Sequence, residues 1–249
     1  MMNLDQQRRY ARQIMLPELG EAGQQRLREA RVLVVGAGGL GASVLTYLAA
    51  AGVGTLGIID PDRVDLSNLA RQIIHETGDI GRLKVESASD RIAELNPDVR
   101  VIPYPFALTA ENAREVMGEY HLIVDGCDNF ATRLAVNAAC VALGIPLVSA
   151  AIAGWEGQLA SFAPHRAPEA GCYQCFVNPD APEVNTCRES GVIGPLAGVM
   201  GAMQAQETLL MLLDRPALLG TLLRFDARSM QQRTSRLTRD AGCGVCGNP

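Results

Sequence analysis

Four of the cysteines stand in two closely spaced pairs, which is the most specific chemical pattern in the sequence. Cys172 and Cys175 form one CxxC pair, and Cys243 and Cys246 form the other. Four thiolates match the tetrahedral coordination of Zn²⁺, and a site whose four ligands all come from protein is structural rather than catalytic. The pattern predicts a structural Zn²⁺ that clips the C-terminal tail onto the rest of the chain, with a redox dithiol or disulfides as the alternative.

A glycine-rich segment after the apolar run VLVV has the GxGxxG spacing of a phosphate-binding turn. Glycine backbone can approach phosphate oxygens closely, and the first N–H groups of the following helix can donate to them. Asp60 ends the next apolar run, where a carboxylate can accept a hydrogen bond from a ribose hydroxyl. These features predict a nucleotide site, with a plain tight turn and an acidic strand end as the alternative. The glycines concerned are Gly36, Gly38, Gly39 and Gly41.

Charged residues outside this turn indicate which nucleotide it could bind. Arg71 and Lys84 follow Asp60, and Arg12 lies near the N-terminus. Each could neutralise phosphate charge, which ATP requires more than a redox dinucleotide does, although a solvated surface charge is the alternative for each. Asp128 follows a predicted strand, where it could hold Mg²⁺ against phosphate oxygens or cap a helix.

The other cysteines and the histidines give weaker signals. Cys140 lies in an apolar helical run and is expected in the core, and Cys127 is a small residue at a strand end. Cys187 lies in a polar loop beside Arg188, which favours the thiolate, so a reactive role competes with an inert one. The histidines are dispersed and are expected at the surface or at strand ends: His75, His121 and His165.

The segment that carries the glycine turn has no charged residue from Val32 to Ile59, which is long enough to cross a bilayer. Its glycines divide it into a strand, a turn, a helix and a second strand, so we predict a buried βαβ unit instead. A helix from 84 to 95, a strand from 99 to 104 and a helix opening at Thr109 follow. A strand at 122–127, a helix capped by Asn129 and a strand at 146–154 continue the alternation.

These elements predict an α/β fold, a Rossmann-like doubly wound sheet that is parallel in its first half. Residues 4–29 form a helical extension outside the sheet. In the second half, an alternating run, a loop at 176–190, an apolar helix from Ile193 to Leu213 and two further strands are added, as antiparallel strands of the same sheet. We expect a single domain over residues 1–249.

The composition excludes several classes of protein. With 249 residues, 48% of them hydrophobic, and 20% charged, the chain is not expected to be disordered. Its net charge of −5 leaves no basic field for nucleic acid, so neither nucleic acid nor membrane is an expected partner. Because no secretory signal opens the sequence, we expect the protein in the reducing cytoplasm, where paired thiols bind metal more often than they form disulfides.

Taken together, the motifs resemble the bacterial E1-like family that includes ThiF and MoeB. In chain order they are RRYARQ (8–13), GAGGLG (36–41), Asp60, DLSNLARQ (65–72), Lys84, DGCDN (125–129), TCRESGVIGP (186–195) and the two CxxC pairs. The resemblance implies an enzyme that uses ATP and Mg²⁺ to adenylate the C-terminal glycine carboxylate of a small ubiquitin-fold sulfur carrier protein. Pyrophosphate leaves, and the acyl-adenylate then accepts sulfur.

The resemblance also assigns roles by position. Gly39 would approach the phosphates, Asp60 the ribose, and Asp128 would be the Mg²⁺-linked acid. Ser67, Asn68, Arg71, Lys84 and Asn129 would line the nucleotide site. Arg12 would reach the active site of a neighbouring subunit, which implies a homodimer with shared sites. Cys187 matches a cysteine that joins covalent sulfur chemistry in the ThiF branch and is dispensable in some MoeB proteins.

The sequence leaves alternatives open for both the partner protein and the reaction class. The run CRESGVIGPLAGVMG is closer to ThiF-like sequences, which favours a ThiS-like carrier over a MoaD-like one. Because no rhodanese-like segment follows Cys246, we expect sulfur from another protein, such as a cysteine desulfurase. An NAD-dependent oxidoreductase on the same turn would need a hydride-transfer site that the sequence does not reveal. The third hypothesis is a scaffold that binds nucleotide and a ubiquitin-fold partner without turnover.

Overall fold

A mixed sheet forms the centre of the computed structural model, which describes residues 2–177 and 191–247. Over these residues the sheet has eight strands in the order β3-β2-β1-β4-β5-β6-β7-β8. Neighbours from β3 to β5 pair in parallel, and those from β5 to β8 pair antiparallel. The strands are β1 Arg31–Val35, β2 Thr55–Ile59, β3 Arg100–Tyr104, β4 Leu122–Asp125, β5 Leu147–Ala153, β6 Glu156–Phe162, β7 Thr221–Asp226 and β8 Gln231–Arg236.

Helices cover both faces of this sheet and precede it at the N-terminus. Over the described ranges they are α1 Leu4–Ile14, α2 Gly20–Glu29, α3 Gly39–Ala51, α4 Lys84–Leu95, α5 Ala113–Met117, α6 Phe130–Leu143, α7 Tyr173–Phe176 and α8 Gly194–Leu212. The predicted helical extension, the βαβ unit and the added antiparallel strands are therefore confirmed.

Strand β1 shows how the core is divided between the two faces. Val32 and Val34 belong to the cluster that packs against α3, α4 and α8, whereas Leu33 and Val35 belong to the cluster that packs against α5 and α6. Successive side chains of a strand point to opposite faces, so a strand buried on both sides is apolar throughout. This explains the long uncharged run, and no helix in the described part of the chain has the length and apolar character needed to cross a bilayer.

The strand order reverses direction between β1 and β4. From β1 the chain adds β2 and then β3 on one side, while β4 and β5 extend the sheet on the other. In open α/β sheets, a crevice for ligands forms beyond the carboxyl ends of the strands at this switch point. The turns that follow β1 and β4 therefore form the natural floor of a binding site.

Two predicted boundaries are wrong: the strand predicted at 122–127 ends at Asp125, and a predicted helix begins later. The helix expected to open at Thr109 begins at Ala113 and has 5 residues. The Thr109 N–H donates to Asn112 Oδ1 at 2.9 Å, and Asn112 Nδ2 donates to the Ala107 carbonyl at 2.9 Å. These local side-chain bonds hold the backbone in a turn, because they compete with helical hydrogen bonding.

Candidate functional site

The turn after β1 permits a close approach of backbone to ligand. Gly36 has a φ of +94°, which favours glycine, and a Cβ atom on Gly41 would lie only 1.8 Å from the Gly36 carbonyl oxygen. The next helix, α3, has Gly38 at its N-cap, and among the described residues no side chain caps it. Its first N–H groups are therefore available as donors to an anion.

The turn after β4 lies directly beside the glycine turn. A Cβ atom on Gly36 would be 3.3 Å from the Gly126 carbonyl oxygen, which places the two turns in contact. Asp128 and Asn129 follow Gly126 at the same edge, and both side chains are exposed. Asn129 Oδ1 accepts from the Thr132 N–H at 2.8 Å, so Asn129 caps α6, as the sequence predicts. The N-cap residue of this helix is therefore Asn129.

Asp60 holds the glycine turn through hydrogen bonds from backbone N–H groups. Its Oδ2 accepts from the Ala37 N–H at 2.8 Å, and its Oδ1 accepts from the Asp62 N–H at 2.8 Å. Lys84 Nζ lies 2.9 Å from Asp62 Oδ2 and 3.8 Å from Asp60 Oδ2, and the Lys84 side chain is 7% exposed. The structure thus brings Asp60 and Lys84 together and adds Asp62, which sequence reasoning missed.

Arg71 reaches the first turn of α3 from the segment at 65–72. A Cβ atom on Gly39 would lie 3.6 Å from Arg71 Cγ, and the Arg71 guanidinium donates to the Ser67 carbonyl at 3.1 Å. Ser67 Oγ donates to Asp65 Oδ1 at 2.6 Å, and the Asp65 N–H donates to Asn68 Oδ1 at 3.1 Å. These bonds order the segment, so that a cation lies beside the donor end of α3.

His75 holds the glycine turn from another side, contrary to its expected place at the surface or at a strand end. It is 5% exposed, with Nε2 lying 3.1 Å from the Ala37 carbonyl oxygen and Nδ1 lying 2.8 Å from Ser87 Oγ. Burial lowers the pKa of His75 below its ordinary value. A single histidine has no motif spacing, so the sequence contained no signal for this contact.

Arg12 does not approach the glycine turn of its own chain. Its helix, α1, packs at the other end of α3: Gln13 Nε2 donates to the Ala51 carbonyl at 3.2 Å, and a Cβ atom on Gly52 would overlap the Tyr10 ring. The 13 residues of α3 span about 20 Å. Arg12 is exposed at that far end.

The four paired cysteines converge into one cluster, as predicted. Their sulfur atoms all lie within 4.8 Å of one another, with Cys172 and Cys243 at 3.8 Å and Cys175 and Cys246 at 3.3 Å. Zinc–sulfur bonds of about 2.3 Å in a tetrahedron put sulfur atoms about 3.8 Å apart, so the cluster fits Zn²⁺. Buried Asn137 donates to Cys172 Sγ at 3.5 Å, a contact that orients this ligand.

The remaining cysteines differ in what the structure shows. Cys140 is buried in the core, as expected, and burial raises the pKa of the Cys140 and Cys127 thiols. A raised pKa disfavours the reactive thiolate at both positions. Cys187 lies outside the described residues, as does most of the loop predicted at 176–190.

Comparison with known proteins gives three concordant results. The model of the ThiF family matches residues 10–245. The "Sulfur carrier protein adenylyltransferase" of Thermus thermophilus is 48% identical, over 96% of this chain and 90% of its own. The "Sulfur carrier protein ThiS adenylyltransferase" of Escherichia coli is 44% identical, over 96% of this chain and 94% of its own.

Among solved structures, E. coli MccB crystallised with ATP superimposes with a TM-score of 0.84. The match covers 96% of this chain and 75% of MccB at 23% identity. At that identity the likeness concerns the fold, and it places the mixed sheet described above among known architectures.

The burial of His75 predicts a pH-dependent stability. Because its pKa is lower in the folded chain than the 6.5 of an unfolded histidine, the unfolded state takes up a proton first as the pH falls. The melting temperature should therefore drop as the pH falls below about 6.5, and His75→Gln should flatten this dependence. Thermal melts between about pH 7.5 and 5 would measure it, with the exposed His121→Gln as the control. If the melting temperature changes equally with pH in wild type and in His75→Gln, the prediction is wrong.

Proposed function

Because the chain belongs to the ThiF family, we propose that it is an adenylyltransferase that uses ATP to activate the C-terminal carboxylate of a small ubiquitin-fold sulfur carrier protein. The observation that carries this proposal is the meeting of the glycine turn, the Asp128 turn and two cations at the reversal of strand order. A redox dinucleotide would require less positive charge there.

The chemistry explains why such a site is needed. A carboxylate is a poor electrophile at neutral pH, and its conversion to a mixed anhydride with AMP supplies a good leaving group. The carrier carboxylate attacks the α-phosphorus, pyrophosphate leaves, and the acyl-adenylate can then accept sulfur. Two anions must therefore meet, and the site must neutralise both while aligning them.

The described residues can divide this work among themselves. The N–H groups at the start of α3, around Gly39, would bind phosphate oxygens, and Arg71 and Lys84 would offset the negative charge. Lys84 already pairs with Asp62 and Asp60, so its ammonium is held in place behind the glycine turn. Ser67, Asn68 and Asn129 would line the nucleotide.

Magnesium would be held by Asp128 against the phosphate oxygens. Its exposed carboxylate at the carboxyl end of β4 is the type of hard oxygen ligand that Mg²⁺ takes together with phosphate. When bound, the ion would neutralise charge that develops on the phosphates.

The paired cysteines would hold a structural Zn²⁺, which would tie the C-terminal segment to α6 through Asn137.

A homodimer would place Arg12 at the site of the neighbouring subunit, which accords with the distance of Arg12 from the glycine turn of its own chain. Within the family, we propose a ThiS-like carrier before a MoaD-like one, because the run CRESGVIGPLAGVMG is closer to ThiF-like sequences. Cys187 would join the sulfur chemistry, with sulfur from a separate donor such as a cysteine desulfurase. We place this single-domain enzyme in the cytoplasm.

Removal of the proposed metal ligand should stop the first half-reaction. Asp128→Ala should lower carrier-dependent ATP–pyrophosphate exchange by about a hundredfold or more, because charge on the phosphates is no longer stabilised. Exchange would be measured with a ThiS-like and a MoaD-like carrier in turn, and Asp5→Asn, at an acid whose side chain is 93% exposed on α1, is the control. Exchange by Asp128→Ala at the wild-type rate would refute the role of Asp128.

Sharing of sites between subunits predicts complementation. Arg12→Ala and Asp128→Ala homodimers should both be inactive, but their mixed dimers should contain one intact site. After subunit exchange at equal amounts, exchange activity should return to about a quarter of wild type, since half of the dimers are mixed and each has one of two sites intact. No recovery, with mixed dimers confirmed by mass spectrometry, would indicate self-contained sites.

Loss of the proposed zinc should loosen the C-terminal segment. Purified protein should contain about one Zn²⁺ per chain, and strong chelation should lower the melting temperature and expose four further thiols to a thiol reagent. Asn137→Leu should bind Zn²⁺ about tenfold more weakly, because the orienting contact to Cys172 is lost. Cys140→Ser, at a buried cysteine outside the cluster, is the control. Chelation that changes neither stability nor thiol exposure would argue against the metal.

A further inference from the structure

Arg133, on the first turns of α6, is a buried charge that the proposed mechanism does not use. Its side chain is 9% exposed, and its guanidinium lies 3.0 Å from Asp125 Oδ2, whose own side chain is 1% exposed. It also donates to Ser149 Oγ at 3.1 Å, to the Ala150 carbonyl at 2.8 Å and to the Cys127 carbonyl. A single side chain therefore joins the carboxyl end of β4, the middle of β5 and the turn between β4 and α6.

The contacts around Cys127 fix the peptide that leads into Asp128. The Cys127 carbonyl accepts from Arg133, and the Cys127 N–H donates to Asp125 Oδ1 at 3.0 Å. Both polar groups of the residue before Asp128 are thus held by the two members of one ion pair. The peptide plane of the Cys127 carbonyl also contains the N and Cα atoms of Asp128, so holding this carbonyl fixes where those two atoms lie.

Stability alone does not account for this arrangement. A buried ion pair contributes little to net stability, because the loss of hydration of both charges offsets their attraction. The planar guanidinium donates to four acceptors, whereas an ammonium would act as a single point charge and could not hold all four. The pattern is that of a group that holds several backbone elements in fixed relative positions.

We propose that Arg133, together with Asp125, is a positioning residue for adenylation: it fixes the Cys127–Asp128 peptide so that Asp128 faces the metal of the nucleotide site. The inference rests on the proposed function, in which Asp128 binds Mg²⁺. Arg133 itself touches neither nucleotide nor carrier, so its loss should weaken metal binding and slow turnover while the affinity for the nucleotide base and ribose is kept.

The test compares variants of the full-length chain that change the pair in different ways. Arg133→Lys keeps the charge and loses the planar fork, whereas Asp125→Asn combined with Arg133→Gln removes both charges. Ser161→Ala is the matched control, since Ser161 Oγ, on β6 of the same sheet, donates at 2.7 Å to buried Glu207 on α8, just as Ser149 Oγ on β5 donates at 2.8 Å to Asp125.

Metal binding would be measured without turnover, from the electron paramagnetic resonance signal of unbound Mn²⁺ in the presence of a non-hydrolysable ATP analogue. Both pair variants should bind Mn²⁺ at least about fivefold more weakly and show a tenfold lower kcat in carrier-dependent exchange, with the affinity for ATP measured without metal within about twofold of wild type. Ser161→Ala should match wild type in Mn²⁺ binding even where its melting temperature falls.

Three results would contradict the proposed role of Arg133. The first is a folded Arg133→Lys variant that binds Mn²⁺ as tightly as wild type. The second is a loss of Mn²⁺ affinity no larger than that of Ser161→Ala at the same drop in melting temperature, and the third is that the variants do not fold. Each result would assign Arg133 to the fold and overturn the proposal. A wild-type protein that shows no metal-dependent nucleotide binding would instead refute the proposed function itself.

Discussion

The close approach of two strand ends, β1 and β4, is the constraint on which the site depends. The backbone after β1 has to pass within contact of the backbone after β4, and at Gly36 and Gly41 a Cβ atom would have no room or no favourable conformation. This approach leaves the N–H groups of α3 open to an anion and puts the Asp128 turn beside them. A larger residue in either turn would separate the anion-binding donors from the acid that the chemistry needs.

Buried polar and charged side chains hold both turns in place. Asp60, Lys84 and His75 hold the glycine turn, and Asp125 with Arg133 holds the turn that carries Asp128. Charges at such depth are costly unless they are paired and fully hydrogen-bonded, and every one of these groups has polar partners at hydrogen-bonding or ion-pair distance. The cost is accepted where precise backbone placement matters, which accords with a site that must align two anions.

Helix α6 connects the candidate active site with the cysteine cluster. Asn129, Arg133 and Asn137 are spaced four residues apart, so they lie along one face of the helix. The first caps the helix beside Asp128, the second holds the turn before it, and the third contacts the sulfur of Cys172. The cysteine cluster therefore anchors the same helix whose first turn belongs to the candidate active site.

Local patterns in the sequence determined the glycine turn, the βαβ unit, the cap at Asn129 and the two thiol pairs, because each depends on residues a few positions apart or on a strict spacing. The tertiary structure decided the rest. It paired Lys84 with Asp62, buried His75 against Ala37, drew Arg133 onto Asp125 and placed Arg12 at the far end of α3 from its own glycine turn. Residue type alone could not reveal these contacts, since a charged or polar side chain reads the same in sequence whether solvent or a buried partner satisfies it, and only the packing of helices on the sheet selects between the two.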